Sequence, residues 1–181
     1  MLSDRDDPII AIATPPGRGA VGVVRLSGKQ LGPFVQQLVQ RALKPRQSHL
    51  VTLRDAQGDT IDQVLAVFFP APHSYTGEDV LELQGHGGAV VLNMLVSHCL
   101  FLAQNPPANQ PASLPFLRMA RPGEFTERAY LNDKLDLAQA EAVADLIDAQ
   151  TQAAVRSASR SLQGEFSKRV EELAQAMVHV R

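Results

Sequence analysis

Short apolar runs alternate with turn-forming sequences through the first part of the chain, and this spacing predicts strands interleaved with helices. Residues 9–13 and 21–26 are apolar runs separated by TPPGRGA, which predicts a strand, a turn and a second strand. A helix is predicted from Ser27 or Gly28 to about Leu43, because the apolar residues there fall on one helical face. The residues of that face are Leu31, Phe34, Val35, Leu38, Val39 and Leu43.

The pattern that follows predicts more strands, one helix and a long polar loop. A hairpin is predicted with arms at 49–54 and 60–69, joined by DAQGD and ended by Pro70 and Pro72. Strands and helices mixed in this way predict an α+β fold with a mixed, largely antiparallel sheet. The later elements are a turn at Tyr75-Thr76-Gly77, a strand at 79–84, a loop at 85–88, a helix at 89–102, a surface loop at 104–115 and a strand at 116–119.

Helical periodicity replaces strand patterns after Arg121. A helix is predicted over 122–131, with Glu124 and Glu127 near the positive end of its dipole. Asp136 follows a turn and is placed to cap a second helix. The apolar residues of this second helix, which recur at helical spacing, are Leu137, Ala140, Val143, Ala144 and Ile147.

Residues 151–181 predict one long amphipathic helix, since their apolar positions recur at helical spacing. Gly164 lies inside this helix and costs about 1 kcal/mol there. The pattern has no Gly, Asn or Pro stop signal at its end, so we expect a truncated product whose apolar helix face requires a partner. The predicted domains are an α/β domain at 1–121 and the first part of a helical domain at 122–181.

Composition and charge narrow the functional classes. Hydrophobic residues make up 45% and charged residues 20% of the chain, which is typical of a folded globular protein. The net charge of -2 shows no excess of basic residues of the kind that nucleic-acid-binding domains carry. Any RNA contact is therefore expected to be local or to lie in another part of the protein. The sequence has neither a basic leader nor an apolar stretch of about 18 residues, so we expect a cytoplasmic protein without membrane contact.

The cysteine and histidine residues give no metal signature. Cys99 is the one cysteine and lies in an apolar run, so it is predicted to be a small buried hydrophobic residue. His73, His86 and His98 lack the spacing of a helical metal motif. We therefore predict no metal site in this chain.

Two glycine patterns resemble nucleotide-binding loops but lie in the wrong context. The GxGxxG at 17–22 would have to open a helix in a dinucleotide-binding fold, whereas here it opens the strand-like VGVVRLSG. The stretch at 22–29 resembles a phosphate-binding loop, but its glycine spacing is one residue too long and Gln30 replaces the required Ser or Thr. We therefore predict that the chain neither binds nor hydrolyses GTP.

A third glycine pattern, GHGG at 85–88, precedes a predicted helix. Such a loop offers free backbone N–H groups to an anion or another ligand. It also suits a tight turn from a strand into a helix, because glycine adopts conformations closed to other residues. The sequence leaves both alternatives open.

Three charged side chains occupy positions that regular structure does not require. Arg25 lies within an apolar strand, where a charge is costly unless a ligand or an acidic partner pairs with it. Glu82 shares a strand face with Val80 and Gln84, where it is either solvent-exposed or the acceptor for a ligand's paired N–H donors. Lys134 lies in a short corner between two predicted helices, either as a solvated loop lysine or as a ligand contact.

The chain resembles the N-terminal portion of the MnmE (TrmE) family of bacterial tRNA-modification GTPases. The resemblance covers nearly all of the chain and rests on four motifs: ATPPGRGAVGVVRLSG, SYTGEDVLELQGHGG, ARPGEFTERAYLNDKLDLAQAEAVADLIDA and SLQGEFS. It implies an α/β domain similar to the tetrahydrofolate-binding domain of aminomethyltransferases. That domain is expected to form a homodimer and to bind 5-formyl- or 5,10-methylene-tetrahydrofolate. A helical domain interrupted by a Ras-like G domain is expected to follow.

The resemblance also implies partners for the whole protein. With MnmG, a flavoprotein that uses NADH, the family adds aminomethyl-type groups to carbon 5 of the wobble uridine of tRNA. GTP, K⁺ and Mg²⁺ belong to the G domain, whose phosphate loop this sequence lacks. The family's C-terminal cysteine motif is also absent, and Cys99 matches neither its place nor its context.

By resemblance, Arg25, Glu82 and Lys134 are the folate-contacting positions, and no catalytic residue or metal ligand is assigned. One carboxylate accepts the pterin's exocyclic amine and adjacent ring N–H together, so Glu82 is assigned to the pterin. Arg25 and Lys134 are assigned to the tail carboxylates or the one-carbon carbonyl, and are expected to converge on one folate. The alternatives are a free-standing folate-dependent aminomethyltransferase-like enzyme and a pure dimerisation scaffold.

Overall fold

The computed structural model describes residues 6–105 and 113–179, so most of the predicted loop at 104–115 lies outside the described residues. The predicted α+β class is confirmed, and strands and helices follow one another in the predicted order. The elements are β1 Ile9–Ile12, β2 Val21–Gly28, α1 Gly32–Val39, β3 Ser48–Arg54, β4 Thr60–Phe69, β5 Asp79–His86, α2 Ala89–Gln104, β6 Arg118–Met119, α3 Glu124–Leu131, α4 Leu137–Asp148, α5 Gln152–Leu162 and α6 Glu165–His179.

The described residues form two compact units. The first unit lies within Met1–Ser74 and Glu78–Pro122 and contains all six strands with α1 and α2. The second lies within Gly123–Arg181 and contains the later helices, together with the short segment Tyr75–Gly77 from the connection between β4 and β5.

The first unit is built on a six-stranded sheet in the order β3-β4-β5-β2-β1-β6. Its neighbouring strands are antiparallel except β1 and β6, which are parallel, as the largely antiparallel prediction requires. Successive side chains of a strand point to opposite faces. In β2, Val24 and Leu26 point into the core shared with α1 and α2, whereas Val23 and Arg25 lie on the opposite face. We call that opposite face the outer face of the sheet.

The helix predicted from Ser27 or Gly28 begins later and ends earlier than expected. Both residues belong to β2, where they pair with Val80 and Asp79 of β5, and α1 spans only Gly32–Val39. The register of the sheet therefore overrides the local helical pattern at Ser27 and Gly28. Gln40 in the left-handed conformation (φ 54°) then ends the helix before Leu43.

The predicted loop at 85–88 is partly strand. Gly85 and His86 extend β5 and pair with Gly22 and Val21 of β2. A side chain at Gly85 would lie 2.5 Å from a carboxylate oxygen of Asp62, so only glycine fits there without a shift. The tight-turn alternative therefore applies to Gly87 and Gly88, directly before α2.

In the second unit, the prediction of a single long helix at 151–181 is wrong. This segment is two helices, α5 and α6, separated at Gly164, whose φ of 81° is incompatible with a continuous right-handed helix. The helix predicted at 122–131 begins at Glu124, after Gly123 in the left-handed conformation, so Pro122 lies outside it. The predicted cap at Asp136 is confirmed as a capping box with Gln139.

Buried residues of the first unit include Cys99, as predicted. Its side chain is fully buried in the core, and burial raises the pKa of its thiol to about 12. Among the residues that the structure describes, no helix combines the length and the apolar character needed to cross a membrane.

Candidate ligand site on the outer face of the sheet

An ion pair lies at the centre of the outer face. Arg25 of β2 and Glu82 of β5 are direct cross-strand partners in the two central strands. The Arg25 Nε and Nη2 atoms both contact Glu82 Oε1, at 2.9 and 2.8 Å. Glu82 is thus the acidic partner that an arginine in an apolar strand requires. The two side chains keep 29% and 18% of their surface exposed, so a ligand can reach both.

The geometry of this pair leaves part of the carboxylate available. Both guanidinium contacts go to Oε1, and within the described part of the chain Glu82 Oε2 accepts no hydrogen bond. An ionised carboxylate has about four acceptor positions on its two oxygens. Glu82 therefore retains acceptor capacity on Oε2, while the contacts from Arg25 hold Oε1 in place.

Apolar side chains flank the ion pair on both sides. Val67 of β4 pairs with Glu82, and Ala11 of β1 pairs with Arg25, so the four residues form one row across the outer face. Val67 and Ala11 are each partly buried. A charged pair in an apolar row is suited to a flat ligand with a polar edge, because the ring gains contact area while its N–H groups meet the carboxylate.

One end of the outer face is closed by a buried polar contact. The Ser27 hydroxyl donates to Glu78 Oε2 at 2.8 Å, and both residues are buried. Val80, the cross-strand partner of Ser27, is also buried. The accessible part of the face therefore begins at the Arg25–Glu82 row and continues in the direction of Gln84.

Lys134 belongs to the second unit, in the corner between α3 and α4. Its backbone N–H donates to the Ala129 carbonyl at 2.8 Å, and Asn132 donates to the Thr76 carbonyl at 2.7 Å. A side chain at Gly77 would lie 3.2 Å from Lys134 Cγ, so the Lys134 stem packs over this glycine. Lys134 is exposed, and its ammonium makes no ion pair within the part of the chain described. The corner also lines a cavity of about 550 Å³.

A second acid–base pair lies at the end of β5. Asp62 Oδ1 is 2.7 Å from His86 Nδ1, and Asp62 Oδ2 accepts the His86 backbone N–H at 2.8 Å. Burial raises the pKa of the Asp62 carboxyl. The hydrogen bonds with His86 and one from the Gln63 backbone N–H outweigh burial, so the pKa of Asp62 lies below its ordinary value of 3.8. This pair was not predicted from the sequence, since its two residues are 24 positions apart in the chain. No cluster of three or more His, Cys, Asp or Glu side chains suited to a metal occurs among residues 6–105 and 113–179.

The sequence matches two known protein-family models, which together cover most of the chain. Residues 8–134 match the family described as GTP-binding protein TrmE N-terminus, and residues 137–181 match the MnmE helical domain. The chain belongs to the TrmE (MnmE) family.

Curated members of the TrmE family are similar to the chain over its whole length. It is 64% identical over 181 residues to the tRNA modification GTPase MnmE of Acidovorax sp. (strain JS42) and 63% identical over 182 residues to that of Paracidovorax citrulli (strain AAC00-1). The protein of the same name from Polaromonas sp. (strain JS666 / ATCC BAA-500) is 61% identical over 183 residues. The chain spans 37%, 38% and 38% of the lengths of these three relatives.

Of the three residues singled out from the sequence, the structure brings two together. Arg25 and Glu82 are in contact, although the sequence indicated a ligand or an acidic partner for Arg25 and left Glu82 either solvent-exposed or the acceptor for a ligand. Lys134 lies in the predicted corner of the second unit, and its contribution to a shared ligand stays a prediction. Gln84 was visible as a neighbour of Glu82 on the same strand face, but its carboxamide could be recognised as available only from the structure.

Proposed function

We propose that this chain is the part of a TrmE-family protein that binds a reduced one-carbon folate, 5-formyl- or 5,10-methylene-tetrahydrofolate. The observation that carries the proposal is the Arg25–Glu82 pair, partly exposed on an apolar sheet face with acceptor capacity remaining on Glu82. A reduced pterin has an exocyclic amine beside a ring N–H, and both suit a carboxylate. Folate supplies the one-carbon unit, and the chain's own residues bind and orient it.

Arg25, Glu82 and Lys134 are the proposed contacts. Glu82 accepts hydrogen bonds from the pterin, and Arg25 keeps the Glu82 carboxylate in place as well as offering its own charge to the ligand. Lys134 is exposed and makes no ion pair among the described residues, which supports a role toward a ligand carboxylate. These roles also follow the family resemblance, residue by residue.

We further propose that the whole protein is a tRNA-modification GTPase, as its curated relatives are named. The chain would then act within a homodimer that works with the MnmG flavoprotein to add an aminomethyl-type group to C5 of the wobble uridine of tRNA. GTP, K⁺ and Mg²⁺ would bind a G domain outside this sequence. Exposed apolar residues in the first unit, among them Val21, Leu50 and Leu65, support self-association.

Calorimetric titration of the chain with 5-formyl-tetrahydrofolate tests the folate proposal. We expect saturable binding with one ligand per chain, and competition by 5,10-methylene-tetrahydrofolate for the same site. A chain that is folded by circular dichroism and yet binds neither compound would be the dimerisation scaffold. The length of the parent reading frame separates the GTPase from a free-standing aminomethyltransferase-like enzyme, because only the GTPase encodes a G domain.

A further inference from the structure

Gln84 occupies the outer-face position beside Glu82. The two residues alternate along β5, so their Cα atoms are about 7 Å apart and their side chains lie on the same face. Gln84 pairs across the sheet with Val23 of β2 and Leu65 of β4. It is therefore a polar side chain between two apolar ones, next to the row that holds the Arg25–Glu82 pair.

The Gln84 carboxamide has no structural role that the fold reveals. Gln84 is partly buried, and within the described part of the chain its side chain neither donates nor accepts a hydrogen bond. Gln63 on β4, by contrast, is exposed and its side chain donates to Thr52 at 3.4 Å. The Gln84 carboxamide therefore keeps its donor and acceptor groups available to water or to a ligand.

We propose that Gln84 is a further ligand-binding residue, which recognises the carbonyl group of a 2-amino-4-oxo heterocycle. This inference rests on the proposed function and extends it. Such a ring presents an amine, a ring N–H and a carbonyl in sequence along one edge. Glu82 accepts from the amine and the N–H, and the Gln84 carboxamide donates to the carbonyl. Along β5 the acceptor Glu82 is thus followed by the donor Gln84, which matches the order of amine, ring N–H and carbonyl along the edge of the ring.

The apolar neighbours of Gln84 and Glu82 fit the same ligand. Val23, the partner of Gln84, and Val67, the partner of Glu82, are partly buried on the outer face on either side of β5, and they offer surface for the face of a flat ring. In a surrounding of low polarity a hydrogen bond from the ring to a carboxamide is strengthened, and an unmatched group is penalised. Gln84 therefore contributes selectivity between a carbonyl and an amine at ring position 4.

Two substitutions and two matched ligands test this role. Gln84→Leu removes both the donor and the acceptor at similar volume, and Gln84→Glu leaves an acceptor only. Folic acid and aminopterin form the ligand pair, because aminopterin has an amine where folic acid has the 4-oxo group. Dissociation constants for both ligands and for 5-formyl-tetrahydrofolate are measured calorimetrically on chains with matching circular dichroism spectra. Gln63→Leu on the adjacent strand is the control.

We expect Gln84→Leu to weaken 5-formyl-tetrahydrofolate about fivefold, the effect of one hydrogen bond, while Gln63→Leu leaves it unchanged. Gln84→Glu should weaken binding of this 4-oxo ligand by about tenfold or more, and should shift the aminopterin-to-folic-acid affinity ratio in favour of aminopterin. Unchanged 5-formyl-tetrahydrofolate affinity in both Gln84 variants would overturn the inference while leaving the folate proposal intact. A parent chain that binds none of the three compounds would overturn both.

Discussion

At the scale of single residues, the Glu82 carboxylate pairs with Arg25 and is proposed to bind a folate, and the two roles predict different consequences of its removal. Glu82→Ala should lower folate affinity at least tenfold, because charge-assisted hydrogen bonds contribute about 1.5–3 kcal/mol each and about 1.4 kcal/mol corresponds to tenfold. Calorimetric titration with 5-formyl-tetrahydrofolate measures the change. Glu82→Ala also removes a hydrogen-bonded partner from the mostly buried Arg25 guanidinium, so it should lower the unfolding free energy by about 1–3 kcal/mol.

A control for Glu82 is Glu141→Ala, which removes an exposed carboxylate from α4 in the second unit. Its folate affinity should equal that of the parent chain. Equal affinity for Glu82→Ala and the parent would remove Glu82 from the ligand site and leave it as the structural partner of Arg25 alone.

Substitution of Lys134 distinguishes a lysine that contacts the ligand from a solvated loop lysine. Its ammonium is exposed, so Lys134→Ala should not lower the unfolding free energy by more than about 0.5 kcal/mol. Folate affinity should fall about fivefold, and by less at high salt because exposed charges are screened. Lys168→Ala, an exposed lysine of α6, is the control in the same calorimetric titration. If Lys134→Ala and Lys168→Ala both bind as the parent does, Lys134 is a solvated loop lysine.

Asp62 predicts a pH dependence of stability. Its pKa is lower in the folded chain than its ordinary value of 3.8, so its stabilisation is fully present above about pH 4 and is lost as the pH falls through the folded-state pKa. Asp62→Asn should therefore reduce the unfolding free energy by about 2 kcal/mol at pH 7, and by progressively less below pH 4. Urea unfolding from pH 7 to pH 2.5 measures both effects.

The control for Asp62 is Asp59→Asn, which alters an exposed aspartate next to the same strand. It should change the unfolding free energy by less than about 0.5 kcal/mol at any of these pH values. A constant difference between Asp62→Asn and the parent from pH 7 to pH 2.5 would mean that the Asp62 charge contributes nothing to stability.

Residue-scale chemistry was only partly predictable from the sequence. A charge inside an apolar strand identifies Arg25, because burying an unpaired charge is costly. The identity of its partner depends on the register of two strands, and Arg25 and Glu82 are 57 positions apart in the chain. The Asp62–His86 pair escaped prediction for the same reason, since its distance of 24 positions has no local signature.

At the scale of elements, local patterns predicted where strands and helices lie better than where they end. Ser27 and Gly28 were predicted to open a helix, but cross-strand pairing with β5 places them in β2. The helix at 151–181 was predicted to be continuous, because apolar spacing does not reveal that Gly164 adopts a positive φ. Polar caps are encoded locally, which explains why the prediction at Asp136 was correct.

The Asp136 cap predicts how the start of α4 is stabilised. Asp136 Oδ1 accepts the Gln139 backbone N–H at 2.8 Å, and Oδ2 accepts the Ser167 hydroxyl at 2.6 Å. Asp136→Ala removes both bonds and should lower the unfolding free energy by about 1–2 kcal/mol, the range for helix caps. Asp136→Asn keeps an acceptor for the backbone and should lose less. Urea denaturation followed by circular dichroism measures the series.

A result against this role for Asp136 would be equal stability of Asp136→Ala and the parent. The exposed Asp145→Ala, within α4, provides the control, because it removes an aspartate without removing a cap. Alanine also favours the helix interior, so Asp145→Ala should be neutral or slightly stabilising.

At the scale of the whole molecule, apolar residues remain exposed in both units. In the first unit they include Leu50 and Leu65, which are cross-strand partners on the outer face, and Met94 and Phe101 on α2. Large exposed apolar side chains that lie together mark protein contact sites. The proposed homodimer through the first domain therefore predicts that one of these two surfaces is covered by a second copy.

Sedimentation equilibrium on paired charge substitutions tests this self-association. The parent chain should sediment as a dimer at high protein concentration. Either Leu50→Asp with Leu65→Asp, or Met94→Asp with Phe101→Asp, should shift it toward monomer by at least tenfold in dissociation constant, because each pair places two charges in an apolar contact.

The second unit supplies the decisive control for the dimer. Phe166 and Leu173 of α6 are exposed to 59% and 62%, comparable to the exposed residues of the first unit. Phe166→Asp with Leu173→Asp adds the same charge and should leave the dimer intact if the first domain forms the contact. If only this α6 pair produces monomer, the contact lies in the helical domain. A parent chain that stays monomeric at millimolar concentration would contradict self-association altogether, and the exposed residues of both units would then require partners other than a second copy.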